Sequence, residues 1–88
     1  MKRLRGKELK YLFIAYFDGS YEVDAMPNVP TTMEMGVCKL DYRETTNTLT
    51  VYLRRPGLLI GKAGEVINAV EEYLSISVEI KEVNLLTD

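Results

Sequence analysis

The sequence predicts one α+β domain with two layers, in which helices cover one face of a three-stranded mixed sheet. Apolar residues alternate at 49–53 and again at 76–80, as in half-buried strands. Between these strands, and also at 9–17, apolar residues recur at the spacing of a helical face. With 88 residues the chain can bury one modest core, so we expect a single domain over 1–88.

The composition favours an ordered domain without catalytic or metal-binding groups. The apolar share is 47%, the chain has no histidine, and Cys38 is its single cysteine. An intrachain disulfide is therefore excluded, and a zinc site would lack its usual ligands. Because no histidine can activate the thiol, we expect Cys38 to be a small buried apolar group. We expect no enzyme, no metal and no cofactor.

The amino-terminal segment is cationic, and an apolar run at 12–17 follows it. This run is too short to span a membrane, and no small-residue cleavage pattern comes after it. We therefore expect a cytoplasmic protein that makes no contact with a membrane.

Charge is segregated along the chain, although the net charge is only −2. Segment 54–62 contains three cations and no acid, whereas 18–44 and 65–82 are each net negative. Segment 1–10 contains one acid and five cations, which are Lys2, Arg3, Arg5, Lys7 and Lys10. The net charge argues against a general nucleic-acid binder. The basic amino end is either an electrostatic arm or a solubilising terminus.

The amino-terminal half is predicted to form a helix and a strand joined by a long irregular connection. Helical spacing indicates a helix at about 6–17, ended by Asp18-Gly19. The alternative is a hairpin with Asp-Gly in its turn, but the strand alternation is less regular. Pro27 and Pro30 exclude a helix within 20–32. We expect the irregular connection 18–33 to be a surface connection over one edge of the sheet.

Residues 34–42 are predicted to form the first strand, with Cys38, Leu40 and Tyr42 on one face and Gly36 at a bulge. A polar turn at 43–47 leads into the second strand at 49–53. Because the turn is short, these two strands should pair as an antiparallel hairpin.

The carboxy-terminal half is predicted to form two short helices and a third strand. Pro56 suits the first turn of a short helix, and Gly61 and Gly64 interrupt and restart the helical stretch. In the second helix we expect a buried stripe of Val66, Ile67, Val70, Tyr73 and Leu74, with Glu65, Asn68, Glu71 and Glu72 in water. The strand at 76–80 should lie parallel to the second strand, after a right-handed crossover, and 84–88 is a short tail.

The turn Gly61-Lys62-Ala63-Gly64 suits the binding of a phosphate backbone. Its glycines permit a sharp turn and leave the main chain open to close approach. The N–H groups at the start of the following helix point outward with the positive end of the helix dipole. Lys62 adds a cation, and the small Ala63 keeps access open.

This turn lies within a longer pattern, which runs from Arg54-Arg55-Pro56-Gly57 through Leu58-Leu59-Ile60 to Gly61-Lys62-Ala63-Gly64-Glu65. With the element order αββααβ, the pattern resembles type II KH domains, such as that of small-subunit ribosomal protein three. The likeness in sequence covers roughly 48–83, and the first 47 residues agree in element order only. The resemblance implies a KH core at 34–83.

The resemblance implies binding of single-stranded RNA, or DNA, with the turn clamping a backbone of about four nucleotides. The implied contact residues are Gly61, Lys62, Ala63, Gly64, Arg55, Arg54, Gly57, Leu58 and Ile60. Lys62 is the leading candidate among these, whereas Arg54 also fits a solvent-facing strand position. Tyr11, Tyr21 and Tyr52 could stack on bases or simply pack.

A second interpretation is a KH-like scaffold for a protein partner or a homodimer. It is motivated by the acidic second helix, where Glu71 and Glu72 would repel a long nucleic-acid track. The turn is not a Walker loop, because it lacks the longer glycine spacing and the Ser or Thr after the lysine.

Overall fold

The computed structural model describes residues 6–84. Within this range the chain forms four α-helices and three strands: α1 Gly6–Asp18, α2 Thr32–Met35, β1 Val37–Arg43, β2 Thr48–Leu53, α3 Pro56–Ile60, α4 Glu65–Leu74 and β3 Ser77–Glu82. A single turn of 3-10 helix, Lys62–Gly64, joins α3 to α4. The basic residues Lys2, Arg3 and Arg5 and the predicted tail after residue 84 lie outside the described range.

The sheet is mixed and has the strand order β1-β2-β3. β1 and β2 form the predicted antiparallel hairpin, with Arg43 opposite Thr48 next to the turn. β2 and β3 are parallel, with Thr48 opposite Ser77 and Leu53 opposite Glu82. The α+β class and the three-stranded mixed sheet are thus as predicted, and β2 occupies the centre.

The core lies between the helices and one face of the sheet. β2 contributes the alternate residues Leu49, Val51 and Leu53, all fully buried, so its other residues face away from the helices. α1 buries one face against them and so confirms the predicted helix over the alternative hairpin. The cluster comprises Leu9, Phe13, Tyr16, Phe17, Met35, Leu49, Val51, Leu53, Leu59, Val70, Leu74 and Ile76.

The prediction that the first strand begins at residue 34 was wrong, because α2 occupies this position. Thr31 and Glu34 form a reciprocal capping box: the Thr31 hydroxyl accepts from the Glu34 N–H, and the Glu34 carboxylate accepts from the Thr31 N–H. Gly36 does not lie at the bulge but ends α2 in the left-handed conformation, with φ 71°. The element order therefore contains one more helix than the predicted αββααβ.

Cys38 is exposed, contrary to its predicted burial. The register of β1 shifts between Val37 and Lys39, so Cys38 lies in a bulge and leaves the alternation that Leu40 and Tyr42 follow. Its thiol donates to the carbonyl oxygen of Gly36, 3.3 Å away.

Helix α4 differs from its predicted pattern of burial, and Val66 and Ile67 of the predicted stripe are only half-buried. Val70 and Leu74 are buried, but Tyr73 is 52% exposed. Glu71 does not face water as predicted, because its carboxylate accepts the N–H of Val78 at 2.7 Å. This bond connects α4 to the start of β3, after a turn in which Ser75 adopts a left-handed conformation. Among residues 6–84, no helix has the length and apolar character needed to cross a membrane.

The pKa of Tyr16 is raised above its ordinary value of 10.0, first by burial of the phenol and second by the neighbouring Tyr73. The unfolded chain therefore loses this proton at a lower pH than the folded one. The stability contributed by the neutral phenol is complete below pH 10.0 and is lost as pH rises toward the folded pKa.

We expect the free energy of unfolding to fall more steeply in the wild type than in Tyr16→Phe between about pH 9 and about pH 11. Urea unfolding at each pH, followed by circular dichroism, measures the difference. Tyr21→Phe, which alters an exposed side chain, serves as the control and should follow the wild type. Parallel pH profiles for wild type and Tyr16→Phe would contradict the assignment.

Candidate functional site

The 61–64 loop reverses the chain between α3 and α4. Three of its residues have positive φ: Gly61 at 75°, Ala63 at 55° and Gly64 at 79°. Glycine adopts such values without a steric cost, whereas Ala63 does so at a cost of about 1 kcal/mol. The glycines at the two ends thus permit the sharp turn that the sequence predicts.

Gly61 is required by space as well as by conformation. A Cβ atom at this position would lie 2.5 Å from Val66 Cγ2 and 3.0 Å from the Val66 nitrogen. Val66 cannot move away easily, because its side chain packs against the core. At Gly64 the nearest atom to such a Cβ would be Asn68 Nδ2, at 3.3 Å, so there the positive φ is the main constraint.

The loop is held by its own backbone hydrogen bonds. The Gly61 N–H donates to the Gly57 carbonyl at 3.0 Å, and the Gly64 N–H donates to the Gly61 carbonyl at 3.3 Å. The Glu65 N–H donates to the carbonyl of Lys62. The N–H groups of Lys62 and Ala63 are not the donors of these bonds. Both residues are exposed, next to the positive end of the α4 dipole.

Helix α3 places apolar side chains beside the loop. It packs on the core through Leu59, which is fully buried, so its neighbours Leu58 and Ile60 remain 42% and 40% exposed. Gly57, in the first turn, is also exposed. Ile67 of α4 is half-buried. The loop and the exposed residues of α3 therefore form one continuous segment of surface, with a cation at Lys62.

The two arginines connect the end of β2 to α2. Arg55 Nη1 donates to the Glu34 carbonyl at 3.1 Å, and the Arg55 N–H donates to the Met35 carbonyl at 2.9 Å. The Arg54 N–H donates to Gly36, whose α-carbon the Arg54 side chain covers closely. These contacts give both arginines a structural role, and their contact with a ligand stays a prediction.

The three tyrosines considered for stacking lie on elements other than α3 and α4. The Tyr11 hydroxyl donates to Ser20 Oγ at 2.8 Å, and Tyr21 is fully exposed in the connection after α1. Lys39 Nζ lies 5.5 Å from the centroid of the Tyr52 ring, on the sheet face that the helices leave open. In the described part of the chain, acidic and cysteine side chains form no cluster that could hold a metal ion.

A concave surface, which the sequence did not indicate, lies along α4. We name it the α4 groove. It has a volume of about 500 Å³ and is lined by Tyr16, Met26, Asn28, Val29, Glu65, Val66, Ala69, Glu72 and Tyr73. The prediction missed it because it is formed by packing between the 19–31 connection and α4, which no local pattern reveals.

Comparison with models of protein families and with curated proteins found no match for this chain.

We expect Gly61→Ala to lower the free energy of unfolding by about 2 kcal/mol or more, because it adds a clash with Val66 to the cost of the positive φ. Gly64→Ala should cost about 1 kcal/mol, mainly through its φ. Urea unfolding followed by circular dichroism measures both.

Gly57→Ala is the matched control, because a Cβ at this position meets no atom within 4 Å. It lies in α3, so stability should stay unchanged or rise by up to about 1 kcal/mol. If Gly61→Ala and Gly57→Ala have equal effects, the close approach of Gly61 to Val66 does not constrain the loop.

Proposed function

We propose that this chain is a cytoplasmic type II KH domain that binds single-stranded nucleic acid, and RNA rather than DNA. The observation that carries the proposal is the conformation at Gly61. The chain turns sharply there, close against Val66 where only glycine fits, and the turn leaves Lys62 and Ala63 exposed at the start of α4. Such a turn offers main-chain N–H groups and a cation to the same phosphate.

Phosphate recognition would rest on charge and on close approach. From residue 54 to residue 64 every charged side chain is a cation, namely Arg54, Arg55 and Lys62. Because the guanidinium of Arg55 already donates to Glu34, Lys62 is the cation best placed to contact phosphate. Arg54 and Arg55 contribute to the local potential.

Base recognition would use the surface beside the loop. Leu58 and Ile60 offer exposed apolar area on which bases can lie. Helix α3 also contacts β3, an edge strand whose outer peptide groups have no neighbouring strand within the described residues. The flat faces of the bases would thus lie on Leu58 and Ile60, and their polar edges would form hydrogen bonds with the outer peptide groups of β3.

The proposed interaction covers few nucleotides, because the cationic segment is short. Beyond the loop, α4 presents Glu65 and Glu72 to solvent, and acids at these positions repel a continuing phosphate backbone. We therefore expect modest affinity for a single strand, so that tight binding would need a partner or several copies.

The double variant Lys62→Asp with Ala63→Asp should weaken binding of a short RNA strand by about tenfold or more, since it replaces attraction of a phosphate by repulsion. Both side chains are exposed, and aspartate tolerates the left-handed conformation of residue 63 better than alanine does. The variant should therefore keep the fold, which circular dichroism checks. Fluorescence anisotropy measures the affinity.

The matched control is Arg43→Asp with Thr45→Asp, which changes the net charge by the same amount. Arg43 is the last residue of β1 and Thr45 lies in the hairpin turn. Both are exposed, at the opposite end of β2 from α3. Binding by the control should stay within about twofold of the wild type. Equal losses in the two variants would indicate attraction by net charge alone, and unchanged binding by the loop variant would exclude the loop as the site.

Affinity should fall as salt concentration rises, with a logarithmic slope of about −0.7 for each phosphate contacted. The loop variant should have a shallower slope than the wild type, because it loses the contact at Lys62. Anisotropy titrations at several potassium chloride concentrations give both slopes. Identical slopes would place the phosphate contacts elsewhere on the chain.

A further inference from the structure

Hydrogen bonds to α1 hold the connection that forms one wall of the α4 groove. The Met26 N–H donates to the Tyr16 carbonyl at 2.8 Å, which fixes the 19–31 connection on the end of α1. Further along, Asp18 accepts from the N–H and the hydroxyl of Thr32 at 2.8 and 2.6 Å. The middle of the connection and the residue that follows it are thus tied to the end of α1, and the wall of the groove is held in place.

The lining of the groove leaves apolar area uncovered. Tyr73 is 52% and Met26 39% exposed, although both lie next to buried or half-buried residues. The rings of Tyr73 and Tyr16 are in contact, with centroids 5.2 Å apart, so the exposed ring is held against the core. Val66, Val29 and Ala69 complete an apolar surface along the side of α4. A partner with apolar side chains would gain free energy by covering this area.

The rim of the groove has one sign of charge. Glu65 and Glu72 line it directly. The chain segments that line it, 16–29 and 65–73, contain no lysine and no arginine. In these segments the carboxylates of Asp18 and Glu71 accept hydrogen bonds from Thr32 and Val78, whereas Glu72 is exposed. An apolar floor with an acidic rim is complementary to a segment that has both apolar and cationic side chains.

We propose that the α4 groove binds a cationic amphipathic peptide segment of a partner protein. Apolar side chains of the segment would cover Met26, Val66 and Tyr73, and its lysines or arginines would lie beside Glu65 and Glu72. The volume of about 500 Å³ is sufficient for apolar side chains of one such segment. The same acids exclude a nucleic acid from this surface, so the assignment does not depend on the proposed function of the loop.

The test is a titration with a short synthetic peptide that has lysine and leucine at helical spacing, followed through the backbone amide signals of the protein by NMR. We expect shifts that centre on Asn28, Val66, Ala69 and Tyr73. A peptide with glutamate in place of lysine, and a scrambled lysine–leucine peptide, should both bind at least about fivefold more weakly.

Glu72→Lys should weaken binding of the lysine–leucine peptide by about fivefold or more, because it replaces an attractive charge by a repulsive one. Ala69→Gln adds bulk to the floor without a charge and should also weaken binding. Both positions are exposed, so the fold should persist. Glu44→Lys, with the same charge change in the hairpin turn, should stay within about twofold of the wild type.

The proposal is overturned if no groove signal shifts at peptide concentrations up to about 1 mM. It is also overturned if Glu44→Lys weakens binding as much as Glu72→Lys does, or if the scrambled peptide or spermidine gives the same shifts, since the groove would then select charge alone. A concentration-dependent dimer that covers the groove, detected by sedimentation, would assign the surface to a second copy of this chain and equally overturn it.

Discussion

The approach of Gly61 to Val66 determines how the second half of the chain can fold. With no side chain at residue 61, α3 and α4 can be joined by a few residues and still pack on each other and on the sheet. Helix α4 then returns the chain toward the end at which β2 starts, so that β3 pairs with β2 in parallel. The same turn keeps Lys62 and Ala63 out of the core. The packing of α3 on α4 and the exposure of these two residues therefore both result from the turn at Gly61.

The parts of the fold that depend on local rules could be predicted from the sequence. The alternation that ends at Leu53, the proline at the first turn of α3, and the glycines on either side of Lys62 each act within a few residues. They are sufficient to place β2, α3, the 61–64 loop and α4. Helix α2 also has a local signal, the Thr31–Glu34 capping box, but the alternation of the strand that follows masks it.

What could not be predicted depends on contacts between distant parts of the chain. The guanidinium of Arg55 is directed to α2 by the Glu34 carbonyl, which lies 21 residues earlier. Glu71 is turned from water by the Val78 N–H, whose position depends on the start of β3. The α4 groove exists because the connection after α1 is fixed at Met26. At such positions a hydrogen bond to a distant part of the chain overrides the direction that the periodicity of the element predicts for the side chain.

Helix α4 carries opposite electrostatic properties at its end and along its side. The peptide dipoles make its amino-terminal end attractive to an anion, whereas the carboxylates of Glu65 in the first turn and Glu72 further along the side repel one. The two proposed sites are therefore close together and select opposite charges. A cationic segment in the α4 groove would neutralise Glu65, which follows the loop directly, and would thereby strengthen the attraction of the loop for phosphate. By linkage, a bound nucleic-acid strand would strengthen the binding of the cationic segment to the same extent. The acidic side of α4 would in this way couple the binding of the two ligands.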